Sequence, residues 1–267
     1  PSIKYLSEAE VVRVHEKALE MPGVETVITS EDVPGEDRFG VYYHAQPVLA
    51  KGKIRFYGEP VVAIVAETLE DAEEAEKGVE ITYKKLPVVS NIQEAIECKA
   101  VLHEDHPDNI VSTTCVQKGN VEEGFKSSEI IIEKDFSTQA VDHAYLETEA
   151  GISYCDPDGT IVVKSCDQDI THHRVLLAKI LGMPINKVRV IMSPVGGGFG
   201  GKEDMIYQAI LAIATLKTNQ PVKLVFSRED SMIGSCKRHP VTMHYKIGLK
   251  SDGKIQAVKA EIRSDGG

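Results

Sequence analysis

Hydrophobic positions along this chain switch between two periods, and the switches mark its elements. Lys187-Val188-Arg189-Val190-Ile191-Met192 alternates as a strand and stops at Ser193-Pro194. Met205, Ile206, Ala209, Ile210, Ile213 and Leu216 then recur at helical spacing. In the N-terminal third, Glu8 to Leu19 reads as a helix ending near Met21-Pro22-Gly23, and Val24 to Ile28 as a strand. Thr29 to Gly35 reads as a turn or a short helical cap. Pro60 to Ala66 is an apolar run of the kind buried on both faces. Thr68 to Lys77 sets Leu69, Ala72 and Ala75 against glutamates, an amphipathic helix, and Glu80 to Tyr83 is a strand. Strand, helix and strand together predict a compact α/β crossover.

Residues 88–120 carry no clear period, and His103 to Asn109 is polar and Pro-containing, so the domain boundary is placed there. Beyond it, Ile130 to Phe136 is a strand. His143 to Tyr154 and Thr160 to Lys164 read as strands joined by Asp156-Pro157-Asp158-Gly159. Arg174 to Leu181 reads as a helix closed by Gly182 and followed by Pro184. Val222 to Phe226, Val241 to Leu249 and Ile255 to Ile262 complete the strands, the last two forming a hairpin at Ser251-Asp252-Gly253-Lys254. No internal repeat interrupts this order.

Composition narrows the class. A 267-residue chain with 42% hydrophobic residues has room for two globular domains. Its net charge of −11 argues against nucleic acid or an anionic membrane as partner. No apolar run approaches the roughly 18 residues of a membrane span. The start, Pro1-Ser2-Ile3-Lys4, has no secretory apolar segment. Five scattered cysteines without a C-x-x-C pair fit a reducing, cytoplasmic setting better than zinc, iron–sulfur or disulfide frameworks. A first residue other than Met, and a turn signal at Ser264 to Gly267 after a strand, lead to the expectation of a fragment or truncated domain.

The candidate chemistry centres on Val195-Gly196-Gly197-Gly198-Phe199-Gly200-Gly201-Lys202-Glu203, where five of the six residues 196–201 are glycine. Dense glycine is costly in entropy and lets a large polar ligand approach the main chain. The flanks predict a strand-to-helix turn, whose helix N-terminus would offer N–H donors to an anion. A P-loop reading fails because Glu203 stands where a hydroxyl should meet magnesium. A dinucleotide reading needs an acidic residue closing a second strand about twenty residues on, and Glu229 comes too late. Gln168, between a strand and a helix, can donate to an oxo or carbonyl oxygen, or merely flank a helix cap. Glu203, expected at a helix start, is either a dipole-favoured surface carboxylate or a partner for a substrate N–H. Arg238 is either a solvated arginine or a fork for a carbonyl or oxyanion. His143 and Glu147, placed on one strand, would lie about 13 Å apart, too far for one ion. The adjacent His172 and His173 diverge, so no direct protein–metal ligation is assigned.

Several segments together resemble one family. Met21-Pro22-Gly23-Val24, Asp32-Val33-Pro34-Gly35, Gly58-Glu59-Pro60-Val61, His143-Ala144-Tyr145-Leu146-Glu147, Gln168, Leu181-Gly182 through Val190, Gly196 to Glu203 and Arg238-His239-Pro240 occur in the order found in molybdenum hydroxylases of the xanthine dehydrogenase/aldehyde oxidase family. The resemblance spans nearly the whole chain. It implies an α+β fold: an α/β-hammerhead domain over 1–95, a linker over 96–124, and the first part of a mixed α/β molybdopterin-binding domain over 125–267. It implies that Gln168, Gly197, Gly198, Phe199 and Gly200 lie against a molybdenum–molybdopterin cofactor, in the plain or the cytosine dinucleotide form. Glu203 and Arg238 match the two polar residues that bind purines, where aldehyde oxidases carry apolar ones, so a purine such as xanthine or hypoxanthine is the expected substrate. The oxygen would derive from water.

The same resemblance implies what lies elsewhere. The general-base glutamate is expected beyond Gly267, so no catalytic residue is assigned here. The 2Fe-2S clusters and FAD are expected on other domains or subunits, and the remaining molybdopterin domain on the rest of the enzyme. This chain alone is not expected to turn over. The rivals are a family member acting on aldehydes or nicotinate-like heterocycles, and a non-catalytic assembly module without cofactor.

Overall fold

The computed structural model describes residues 9–41 and 43–266. The chain forms two compact units, each built from two stretches: Pro1–Leu86 with Asp142–Cys236, and Pro87–Val141 with Lys237–Gly267.

In the first unit a four-stranded sheet runs in the order Val188–Met192, Ile161–Ser165, Ala150–Cys155, Val222–Val225. Only the first pair is parallel. The helix Ile170–Ile180 links those two strands as a crossover, and its N-cap Asp169 accepts from His172 N. A second helix, Gln208–Thr218, is buried from Gln208 through Thr215. It is apolar on every side because sheet and neighbouring helix enclose it. One hydrophobic core contains Ile161, Val163, Leu177, Ile180 and Leu211, and also Ile28, Phe39, Val48 and Leu49 from the N-terminal part. Lys217 fastens the two parts, donating to Val27 O at 2.8 Å and to Asp32 Oδ1 at 2.5 Å.

The N-terminal part departs from the sequence pattern in one element. The helix expected over Glu8–Leu19 is a strand, Ala9–Glu16, followed by a 3₁₀ turn, Lys17–Glu20; Glu8 lies outside the described residues. The strand is central in its sheet, paired antiparallel with Lys53–Ile54 and Val79–Lys85. Backbone pairing on both edges overrides a composition rich in Ala and Glu. The crossover expected over residues 60–83 exists, but it joins two sheets. Ala63–Ala66 pairs antiparallel with Val24–Ile28, whereas Val79–Lys85 pairs with Ala9–Glu16.

In the second unit, Ile130–Thr138, Val241–Leu249 and Ile255–Ser264 form an antiparallel sheet with Val241–Leu249 in the middle. The hairpin and its turn follow the sequence reading. A short helix, Val121–Lys126, lies over one face, with Gly124 against Ala257 and Phe125 against Gly248.

Candidate functional site

The glycine loop does not run straight into a helix. The strand ends at Met192 and the helix begins at Gln208, so residues 193–207 form an extended loop of turns. Glu203 therefore stands five residues before the helix. Both the helix-dipole account of its carboxylate and the expected helix N-terminal anion site are corrected: any donors here belong to the loop itself.

The glycines serve two different needs. Gly197 and Gly200 have φ of +96° and +90°, which side chains rarely adopt. Gly196, Gly198 and Gly201 are crowded instead. A Cβ would stand 2.6 Å from Glu147 Cβ at position 196, 2.2 Å from Gln168 Oε1 at position 198, and 2.7 Å from His143 Nδ1 at position 201. Phe199 adopts φ 54° and is 75% exposed. A strained aromatic turned outward is poorly explained by folding alone.

Three side chains pin the loop. Gln168 Oε1 accepts from Gly200 N and Lys202 N, both at 3.1 Å, while Gln168 N donates to Lys202 O at 3.0 Å. Glu147 Oε2 accepts from Gly196 N and Lys202 Nζ, both at 2.8 Å, tying the two feet of the loop together. The buried ammonium of Lys202 also lies 4.5 Å from the centre of the Tyr145 ring. His173 Nε2 donates to Glu203 O at 2.8 Å.

The support beneath is the segment His143–Glu149. It is not the strand expected over His143–Tyr154; the strand begins at Ala150, and Ala144 has φ 46°. The segment is held by side chains instead. Tyr145 is buried and its hydroxyl donates to the buried Glu149. Burial, reinforced by that carboxylate, pushes the phenol well above its ordinary range. Arg228 donates at 2.8 Å to both Tyr145 O and Leu146 O.

Behind the loop lies a water-excluded polar cluster. Asp167 and His173 are both 0% exposed, with His173 Nδ1 3.4 Å from Asp167 Oδ2. Asp167 also accepts from Ser165 Oγ at 2.5 Å and from Gln208 Nε2. Burial pulls the imidazole down, but Asp167 and the Glu203 carbonyl outweigh it and leave His173 above its ordinary value.

The structure thus brings Gln168 together with Gly197, Gly198, Phe199 and Gly200, and sets the exposed Glu203 at the end of the same loop. Arg238 falls in the second unit, exposed on the two-residue strand Lys237–Arg238. Sequence reasoning missed Asp167 and Arg228, gave Lys202 no role of its own, and weighed His173 only as half of a rejected metal pair. Glu147 was visible as half of a rejected metal pair and within a segment of the resemblance, with no role assigned.

The loop suits a large polar group. Among the described residues, the N–H groups of Gly197, Gly198 and Phe199 have no protein acceptor, whereas those of Gly196, Gly200, Gly201 and Lys202 do. Three successive donors at a backbone bared of side chains fit a ligand rich in acceptors. Two family models match this chain. The one described as molybdopterin cofactor-binding domain covers residues 102–267, and the one described as aldehyde oxidase and xanthine dehydrogenase, a/b hammerhead domain covers residues 5–87.

The chain belongs to the aldehyde oxidase and xanthine dehydrogenase family.

Among family members, the nicotinate dehydrogenase large molybdopterin subunit of Eubacterium barkeri is 37% identical over 94% of this chain and 59% of its own length. A probable xanthine dehydrogenase subunit of Bacillus subtilis is also 37% identical, over 97% of this chain and 35% of its own. The aldehyde oxidoreductase from Desulfovibrio gigas shares the fold with a TM-score of 0.94 at 24% identity, over 99% of this chain and 30% of that one. Quinoline 2-oxidoreductase from Pseudomonas putida superposes with a TM-score of 0.89 at 25% identity, over 99% of this chain and 35% of that one. The chain therefore spans between about one third and three fifths of these relatives. Its fold is a hammerhead domain with a molybdopterin-binding domain, mixed in helices and strands. Among the described residues no helix is long and apolar enough to cross a membrane.

Proposed function

We propose that this chain is the cofactor-binding part of a cytoplasmic molybdenum hydroxylase acting on an electron-poor heterocycle, with purines such as xanthine as the leading class. The carrying observation is the bared loop: three free N–H groups and an outward Phe199, with an exposed carboxylate, Glu203, at its end. When bound, the molybdenum–molybdopterin group supplies the redox chemistry of hydroxylation with water-derived oxygen. The chain's own residues bind and orient. Gly197, Gly198 and Phe199 donate main-chain hydrogen bonds to the cofactor. Gln168 has its oxygen committed to Gly200 and Lys202, so its NH₂ is the group left to donate to an oxygen of the cofactor. Phe199 offers a ring face to a flat heterocycle, and Glu203 accepts from a ring N–H or shares its proton. Arg238 is proposed, on the resemblance alone, as the grip on a purine oxygen. The general base, 2Fe-2S clusters and FAD are assigned to other domains or subunits, and the pterin is the plain or the cytosine dinucleotide form.

A second reading takes a nicotinate-like pyridine as substrate, supported by the larger share of the nicotinate dehydrogenase subunit that the chain covers, 59% against 35% of the probable xanthine dehydrogenase subunit at equal identity. Both readings are tested by measuring kcat/KM of the complete enzyme on xanthine, nicotinate and benzaldehyde, with Glu203→Ala and Arg238→Ala as variants. The proposal requires Glu203→Ala to cut xanthine turnover about a hundredfold, the scale of a lost transition-state hydrogen bond, and to spare benzaldehyde. Full xanthine turnover in that variant would remove Glu203 from substrate binding. Nicotinate outperforming xanthine in the parent enzyme would move the substrate class to pyridines. Arg238→Ala separately tests the second purine contact.

A further inference from the structure

The loop carrying Glu203 and the strand end carrying Gln168 are joined by a buried side chain that neither role requires. Gln168 and Lys202 exchange two backbone-directed bonds, Gln168 N to Lys202 O at 3.0 Å and Lys202 N to Gln168 Oε1 at 3.1 Å. One residue along on each side, His173 bridges Asp167 and the Glu203 carbonyl. We propose that His173 is a positioning residue that fixes Glu203 in register with Gln168, and so sets where a heterocyclic substrate lies over the cofactor. This rests on the reading of Gln168 as a cofactor contact and Glu203 as a substrate contact.

The hydrogen-bond roles follow from chemistry. A carbonyl oxygen only accepts, so the 2.8 Å contact to Glu203 O places a proton on Nε2. Nδ1 then faces Asp167 Oδ2 at ion-pair distance, 3.4 Å. Asp167 is ringed by donors. Ser165 Oγ donates to it, and so does the Gln208 amide, whose own oxygen accepts from Ile206 N at 2.9 Å and Tyr207 N at 3.0 Å. Those two bonds fix which way the Gln208 amide points. A carboxylate enclosed this way at 0% exposure needs a cationic partner. A second proton, on Nδ1, supplies it: Nδ1 has no hydrogen-bond partner, so it meets Asp167 as an ion pair, and Nε2 alone donates, to Glu203 O. Asp167 and, more weakly, Asp169 are the charged groups that bear on the ring. The helix Ile170–Ile180 carries His173, and the start of the helix Gln208–Thr218 anchors Asp167 through Gln208. Two rigid elements thus set the position of one loop residue, which is how a site gains precision.

The test uses the complete enzyme with His173→Leu, which removes the Nε2 donor and the ion pair to Asp167, and His173→Gln, which restores a donor toward Glu203 O. His173→Leu is expected to raise KM for xanthine or nicotinate about tenfold, with benzaldehyde unchanged and molybdenum content per polypeptide retained. His173→Gln is expected to recover most of that loss. Equal losses on heterocycle and aldehyde, no loss on either, or no recovery with glutamine would reduce His173 to packing and overturn the proposal. Should His173→Leu fail to assemble, ¹⁵N NMR of the imidazole in the unmodified enzyme decides. Two protonated ring nitrogens are expected, and a single one would refute the clamp. Glu203→Ala separates the two layers. If it leaves heterocycle KM untouched, the site reading itself fails; if it acts while His173→Leu is silent on heterocycles, only the role of His173 fails.

Discussion

Replacing Gly198 with alanine isolates what the crowded glycines contribute. Position 198 is not in the left-handed region, so backbone strain plays no part there. The new methyl would meet Gln168 Oε1 at 2.2 Å and Gln168 Cδ at 2.6 Å, far inside contact distance. Either the loop lifts or the carboxamide swings away, and swinging away breaks the bonds from Gly200 N and Lys202 N. At about 1 kcal/mol net for each hydrogen bond the loss is about 2 kcal/mol. For a chain of this size that lowers Tm by about 4–8 °C. A double-mutant cycle with Gln168→Ala, followed by thermal unfolding, checks the reasoning. Gln168→Ala alone should cost a similar amount, and Gly198→Ala should cost almost nothing once Gln168 is gone, a coupling of about 1.5–2 kcal/mol. Gly200→Ala is the control. A Cβ there meets nothing within 4 Å, but φ is +90°. Its cost of about 1–2 kcal/mol is backbone strain, which losing Gln168 cannot relieve. If Gly198→Ala costs the same with and without Gln168, the steric account is wrong.

Further outcomes follow from the same geometry. Glu147→Gln leaves the buried Lys202 without its counter-charge and should cost about 2 kcal/mol at neutral pH, at the low end for such pairs because Glu147 is partly exposed. Burial raises the Glu147 pKa, but Lys202 and Gly196 N–H outweigh it and hold the group below its ordinary 4.5. That contribution is present above 4.5 and lost as pH falls through the folded value, so urea titrations of parent and variant should converge in acid. Arg228→Ala removes the Nη2 group that donates to both Tyr145 O and Leu146 O, and should cost about 1–2 kcal/mol in chemical denaturation. Phe199→Gly relieves a φ of 54° at an exposed side chain, so Tm should rise by an amount corresponding to about 1 kcal/mol, while heterocycle turnover falls. An unchanged turnover would deny Phe199 a part in the site.

Much of the fold and part of the candidate site could be read from residue order. The alternating strand before the glycine cluster and the Asp-Gly hairpin turn are local signals, and each stands where its pattern put it, whereas the helix expected directly after the glycines starts only at Gln208. Gln168 stood out by its place between a strand and a helix, but only the resemblance tied it to a cofactor. The N-terminal strand was read as a helix because Ala, Glu and Lys surround its valines, and nothing local reveals that a strand will be paired on both edges. His143–Glu149 was read as a strand because its residue types suit one, while its actual shape is set by Tyr145 on Glu149 and by Arg228 from far along the chain.

Residue order alone established periodicity, turn chemistry and a stretch of backbone bare enough for a ligand, because each depends on a few neighbouring dihedrals and side chains. Closure of the chain decided the rest. Glu147 reaches Lys202 across 55 positions, and His173 reaches Glu203 across 30. Neither pair has a spacing that favours it. Each forms because packing around a shared core excludes water, and a polar group shut away from water must find its partner among whatever the fold has brought close.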